Sequence, residues 1–194
     1  MFIISCEAIP LSLTVLRLIL APLTFALAAF APSPAGFAVC LIAALLSDIF
    51  DGVIARRLGV ATPGLRRLDS IADTLFYAAC IGALWLLYPR TLAAHAAPLL
   101  VLLGLELLRY AFDLLKFGRE ASYHMWSSKL WGLLLFLAFF SLLVLAHDGW
   151  LVDAAIAAGI VADLEGLLIS WVLPRWRSDV PSVFHAGRIR RAAR

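Results

Sequence analysis

The sequence predicts an all-α, polytopic membrane protein with six transmembrane helices and both termini in the cytoplasm. Three observations predict it. Hydrophobic residues fill 63% of the 194 positions against 15% charged, with a mean hydropathy of +0.96, a balance no water-soluble domain of this size carries on its surface. The apolar residues fall into six runs of bilayer length. The basic residues collect in alternate loops, as the positive-inside rule requires.

The first span is expected over residues 10–30. It has no Lys or Arg before it and Arg17 within it, so the sequence predicts a retained membrane helix rather than a cleaved signal peptide. Pro32 and Pro34 end it, and the second span follows over 36–54. Pro63-Gly64 breaks the chain before the third span at 68–88, and Pro89 precedes the fourth at 92–115. The fifth is expected over 129–146, then Asp148-Gly149, then the sixth over 151–173. The whole chain, 1–194, reads as one membrane domain with a basic tail from about 174 onward. Cys6, Cys40 and Cys80 are odd in number and far apart, which excludes a disulfide framework or zinc site and leaves small buried hydrophobes.

Loop charge sets the orientation. Arg56, Arg57, Arg66 and Arg67 lie between spans two and three, and Lys116, Arg119 and Lys129 between four and five. Arg175, Arg177, Arg188, Arg190, Arg191 and Arg194 lie in the tail, whereas the opposite loops hold only Arg90. The net charge of +3 suits anionic lipid headgroups, and nothing beyond the tail arginines suggests nucleic acid.

The chemistry is concentrated in SDIFDGVIARRLGVATPGLRRLDSIAD, residues 47–73. Asp48 and Asp51 are three apart and Asp69 and Asp73 four apart, so each pair shares a helical face. Two helices can therefore aim four carboxylates into one cleft. Acids at a membrane boundary are costly unless they face protein, water or cations. Hard oxygen ligands of this kind suit a pair of Mg²⁺ or Mn²⁺ ions, and such a pair stabilises both the attacking and leaving oxygens of phosphoryl transfer. This reading requires the four carboxylates to converge away from hydrocarbon and to leave room for ions, rather than being already neutralised by arginine.

Asp48, Asp51, Gly52, Ala55, Arg56, Asp69 and Asp73, at their spacing, resemble the signature of the CDP-alcohol phosphatidyltransferases. An opening helix with Leu13-Thr14 and Arg17, and a basic loop ahead of Lys129, are also similar. One element departs: the family's second glycine would fall at position 65, where this chain has Leu65 with Gly64 before it.

The resemblance implies transfer of a phosphatidyl group from CDP-diacylglycerol to an alcohol with release of CMP, a step of phospholipid biosynthesis. It implies that Asp48, Asp51 and Asp69 bind the metal pair, and that Asp73 is a further ligand or the general base that takes the acceptor's proton. Gly52 and Ala55 would leave room for the nucleotide, and Arg56 would meet the diphosphate. It also implies a bacterial inner membrane, an active site on the cytoplasmic side, and a homodimer. With no placed Ser, Cys or His nucleophile, a single displacement is expected.

Arg109, Arg119 and Lys129, with Lys116 near them, are expected to bind the phosphate of a phosphorylated acceptor, for which the family's bacterial precedent is glycerol 3-phosphate. Phosphatidylglycerol, inositol phosphate, serine and choline remain alternative acceptors. Two other classes stay open: a cation-coupled transporter, in which the intramembrane acids form an ion path, and an inactive lipid-binding relative.

Glu106, Arg109 and Asp113 on span four are expected to pair within that helix. Asp163 and Glu165 on span six lie on different faces, and Glu165 is expected to orient a basic partner. Tyr123 to Trp126 marks an aromatic interface segment in which His124 is expected to be a hydrogen-bonded structural residue, with acceptor contact the alternative. His95, His147 and His185 are expected to be isolated.

Overall fold

A computed structural model describes residues 8–60 and 62–192. Cys6 and Arg194 therefore lie outside the described residues. The described residues form helices and no strands. In order these are α1 (Ala8–Phe30), α2 (Pro34–Leu58), α3 (Pro63–Leu87), the short α4 (Pro89–Ala94), α5 (Ala96–Phe117), α6 (Trp126–Leu143), α7 (Trp150–Val172) and α8 (Val183–Ala192). Four of them, α1, α2, α3 and α6, are long and apolar enough to cross a membrane by length and composition. The helices α5 and α7 are of similar length, 22 and 23 residues.

Helices outrun hydropathy at the polar end of α2 and α3. The second span, expected to end at 54, continues helically to Leu58, where Gly59 adopts φ 69° and its N–H returns to the carbonyls of Ala55 and Arg56. Only a residue without Cβ takes that left-handed conformation without strain. The third span, expected from 68, begins at Pro63 because the Thr62 hydroxyl caps the backbone N–H of Leu65 at 3.2 Å. Hydropathy marks where hydrocarbon ends, whereas hydrogen bonding and caps decide where a helix ends.

The fourth span is interrupted. Pro98 has no N–H to give to the carbonyl of Ala94, so the helix stops at Ala94 and restarts after His95 with Pro98 in the first turn of α5. The fifth span ends at Leu143 rather than 146. There the Ser141 hydroxyl takes the carbonyl of His147 at 2.7 Å, and Ala146 adopts φ 50°. α7 stops at Val172 because Leu173 precedes Pro174, which forces extended backbone.

The chain forms two compact units. The first comprises residues up to Leu92 together with Phe139–His147, and the second comprises Ala93–Ala138 and the chain from Asp148. In the first, α1 packs against both α2 and α3. Its buried stripe, Pro10, Thr14, Arg17, Ala21, Thr24 and Ala28, recurs at helical spacing. It faces small residues such as Ala44, Ala55, Ala72 and Ala83, which let backbones approach. Gly82 is one point of close approach: a Cβ there would lie 3.0 Å from the Phe25 ring. Cys40 and Cys80 are buried free thiols, as expected of small hydrophobes.

In the second unit α5 packs on α7, and α8 folds back against α7. Tyr123, Met125, Ile169, Leu173, Val180 and Ala186 form the core under α8. The tail is thus helical and docked over 183–192. Large apolar side chains stay exposed along the long helices, among them Ile19, Val39, Trp85, Leu100, Leu115 and Trp171. So much exposed apolar surface is the mark of a protein whose solvent is lipid.

Candidate active site

The acid cluster is built from facing side chains of three helices. α2 presents Asp48 and Asp51, and α3 presents Asp69 and Asp73 one turn apart. α1 inserts Thr14 and Arg17 from the opposite wall. The Arg17 guanidinium sits at the point of convergence, with a side chain only 1% exposed. Its Nη1 donates to Asp48 Oδ1 at 3.1 Å and to Asp73 Oδ1, and its Nη2 donates to Asp69 Oδ1 at 2.7 Å and to Asp51 Oδ2. The Thr14 hydroxyl lies 3.3 Å from Asp51 Oδ2. The Arg17 Nε is buried without a hydrogen-bond partner.

The cluster is graded in exposure. Asp51 forms the floor at 6% exposed, while Asp69, Asp73 and Asp48 rise to 34%, 37% and 46%. One side is therefore open to small solutes. Four carboxylates surround one guanidinium, so when all are ionised the cluster carries a formal charge of 1 − 4 = −3. Ligand oxygens of Asp48, Asp51 and Asp69 lie within 4.8 Å of one another. An all-carboxylate donor set with a surplus of negative charge and an open side fits hard divalent cations. The carboxylates converge as the sequence requires, but a cationic side chain shares their centre.

Next to the acids, Ala55 is buried and Gly52 half-buried. A Cβ on Gly52 would stand 3.2 Å from Arg56 Nη1, so the Arg56 guanidinium lies over the bare backbone of Gly52. Leu65 is half-buried in the first turn of α3, and a Cβ on Gly64 would meet nothing within 4 Å.

The second unit holds its own charged network. Arg109 Nε pairs with the buried Asp163 Oδ1 at 3.0 Å, and the Arg109 stem passes so close to Gly166 that a Cβ there would meet its Cδ at 2.8 Å. The buried Asp113 accepts from the Ser170 hydroxyl. That hydroxyl has one proton, so the Tyr123 hydroxyl, 2.8 Å from Ser170 Oγ, must donate to it. Burial pushes the Tyr123 hydroxyl above its ordinary pKa, which keeps that proton in place. Lys116 Nζ donates to the carbonyls of Ser170 and Trp171 at 2.7 and 3.0 Å, at the negative end of α7.

The profile of the CDP-alcohol phosphatidyltransferase family matches residues 7–164, most of the chain and all of the acid cluster. The chain belongs to this family. It is a transferase of phospholipid biosynthesis that moves a phosphatidyl group from a CDP-alcohol to an acceptor, and the family generally uses a divalent metal. No curated protein and no solved structure matches it.

Within this phosphatidyltransferase the four signature aspartates are brought together. The three expected phosphate-binding cations each have a separate neighbour. Arg109 is held by Asp163, Arg119 lies 4.8 Å over the Trp176 ring, and Lys129 lies 4.6 Å over the Trp126 ring.

Several expectations are corrected. Arg109 and Asp113 attract each other within α5, but their direct contacts run across to α7, where Asp163 and Ser170 are buried opposite them. Asp163, not Glu165, orients a basic partner. Glu165 instead accepts from the Ser127 hydroxyl at 2.6 Å and from the Val183 N–H at 3.3 Å, where a carboxylate suits the positive start of α8. His124 takes φ 53° and pairs with Asp179 at 3.2 Å, in keeping with the structural role expected of it. His95 is not isolated: its ring lies 3.0 Å from Asp148 and 3.4 Å from Asp153. His185 is within 2.9 Å of the Ser182 hydroxyl.

Sequence reasoning missed Thr14 and Arg17 as members of the site. The signal was present, since an arginine in the middle of an apolar span must find carboxylates.

Proposed function

We propose that the protein is a phosphatidylglycerophosphate synthase: it transfers the phosphatidyl group of CDP-diacylglycerol to glycerol 3-phosphate and releases CMP. The observation that carries this reading is the convergence of Asp48, Asp51, Asp69 and Asp73 on one partly open point, four carboxylates around a single buried guanidinium. In this reading Asp48, Asp51 and Asp69, with Asp73 at the rim, hold two Mg²⁺ or Mn²⁺ ions. Bound there, such ions supply Lewis-acid stabilisation of the diphosphate and of the leaving CMP. Asp73 also takes the proton of the acceptor hydroxyl as it attacks the lipid-linked phosphorus in a single displacement. Gly52 and Ala55 leave room for the nucleotide, and Arg56 meets the diphosphate as a guanidinium fork. Arg109, Arg119 and Lys129 bind the acceptor phosphate.

The same reading counts six spans, adding α5 and α7 to the four apolar helices. At 22 and 23 residues each is roughly 33 Å long, enough to cross the hydrocarbon. Their charges are engaged, Arg109 by Asp163 and Asp113 by Ser170, which offsets much of the cost of an intramembrane charge. Loop arginines then place both termini and the acid cluster on the cytoplasmic side of a bacterial inner membrane. The whole chain acts as one catalytic domain with a basic tail, as a homodimer.

The decisive assay uses purified protein, CDP-diacylglycerol, Mg²⁺ or Mn²⁺ and a panel of acceptors, scored for CMP and for the lipid product. Metal-dependent CMP release with glycerol 3-phosphate alone is expected. Arg119→Ala and Lys129→Ala should raise KM for glycerol 3-phosphate far more than for CDP-diacylglycerol. Equal effects on both substrates, or turnover only with a non-phosphorylated alcohol, defeat the acceptor assignment.

A further inference from the structure

Arg17 is the least expected member of the acid cluster and the most deeply committed. It reaches all four aspartates with its two terminal nitrogens, from the fully buried stripe of α1. Its target is the same set of oxygens that would ligate a divalent ion: the ligand atoms of Asp48, Asp51 and Asp69 within 4.8 Å of one another. A guanidinium and an ion cannot both have full possession of these oxygens. With neither present, four carboxylates from α2 and α3 would repel one another across a partly buried cleft. We propose that Arg17 is a built-in counter-ion that competes with the divalent ions for the four aspartates, holding α1, α2 and α3 together when no ion is bound and lowering the affinity for ions when they arrive.

The inference rests on the reading of the cluster as a metal site, and adds to it a role for this chain's own arginine. Two further features favour exchange over a permanent ion pair. The Nε of Arg17 has no hydrogen-bond partner, so the guanidinium is anchored only through the oxygens it would have to share. Three of the four carboxylates are a third or more exposed, so an ion can reach them while Arg17 stays buried. Coupling between two ligands of one site is reciprocal: what Arg17 contributes to the ion-free protein it subtracts from ion affinity.

The test compares the full-length wild type with Arg17→Gln and Arg17→Lys, purified in detergent. Mn²⁺ binding is read from the paramagnetic resonance of free Mn²⁺, and the unfolding midpoint is read in chelator and in saturating Mn²⁺. Arg17→Gln is expected to bind Mn²⁺ about tenfold more tightly or better. Its midpoint should fall below wild type in chelator and recover with Mn²⁺. Arg17→Lys, with a point charge that cannot fork to four partners, should fall between. If Arg17→Gln does not accumulate as folded protein, Arg17→Lys carries the test alone, and it must bind Mn²⁺ more tightly than wild type. Affinity equal to or weaker than wild type in the folded variants overturns the competition and leaves the metal-site reading intact. Absence of Mn²⁺ binding by every protein, wild type included, overturns the metal-site reading and the competition with it.

Discussion

The protein contains two buried charge clusters of opposite character. Around Arg17 four carboxylates share one guanidinium, and the surplus of negative charge faces an opening. In the other compact unit the charges close on themselves: Arg109 on Asp163, Asp113 on the Ser170–Tyr123 pair, Lys116 on the last carbonyls of α7. Asp163 and Asp113 each have a near partner there, although Asp163 Oδ2 is buried without a hydrogen bond. The difference teaches how to separate a site from a strut. Loss of a network whose charges are paired with one another should be felt first in stability, whereas loss of an unbalanced one that draws in cations should be felt in binding and turnover.

The sharpest way to break this contrast is Asp73→Asn. It keeps shape and removes one charge from the unbalanced cluster, and should lower turnover about a thousandfold while largely sparing CDP-diacylglycerol binding. Its companion Asp69→Asn should weaken Mn²⁺ affinity. Unchanged CMP release in both variants would remove the site assignment.

Next in size is Asp163→Asn. It leaves the Arg109 charge without its buried partner and should cost about 3 kcal/mol of unfolding free energy, with Mn²⁺ affinity unchanged. Because Arg109 is also proposed to meet the acceptor phosphate, KM for glycerol 3-phosphate should rise with it; unaltered stability would make the contrast fail.

Ser170→Ala removes the hydroxyl between Tyr123 and Asp113 and should destabilise by about 1–3 kcal/mol, because two buried polar groups lose their partner. The smallest effect is expected from Gly166→Ala, whose new Cβ would press on the Arg109 stem. It should cost about 1–2 kcal/mol in denaturant unfolding and spare Mn²⁺ binding.

Much of this contrast is visible in the sequence, but unevenly. The three- and four-residue spacings of Asp48, Asp51, Asp69 and Asp73 are local, and local periodicity translates directly into a shared helical face. The helix breaks at Pro32 and Pro89 follow equally local chemistry. Partners are not local. Arg17 reaches aspartates 31 to 56 residues away, and Arg109 could satisfy its charge within its own helix or across to α7. Spacing alone favoured the intrahelical pairing; packing chose the other, because Asp163 is buried against it. Glu165 is the same lesson in reverse, since it serves a backbone N–H of α8, a group that carries no signature in the side-chain pattern.

By itself the sequence determined the membrane character, the family and the four acids that define its chemistry, because composition and helical periodicity act within a few residues of chain. Only the tertiary structure decided which cation stands among those acids and which charges neutralise one another elsewhere. Coulomb attraction and desolvation depend on distances through space, and those exist only once α1 has closed on α2 and α3, and α5 on α7.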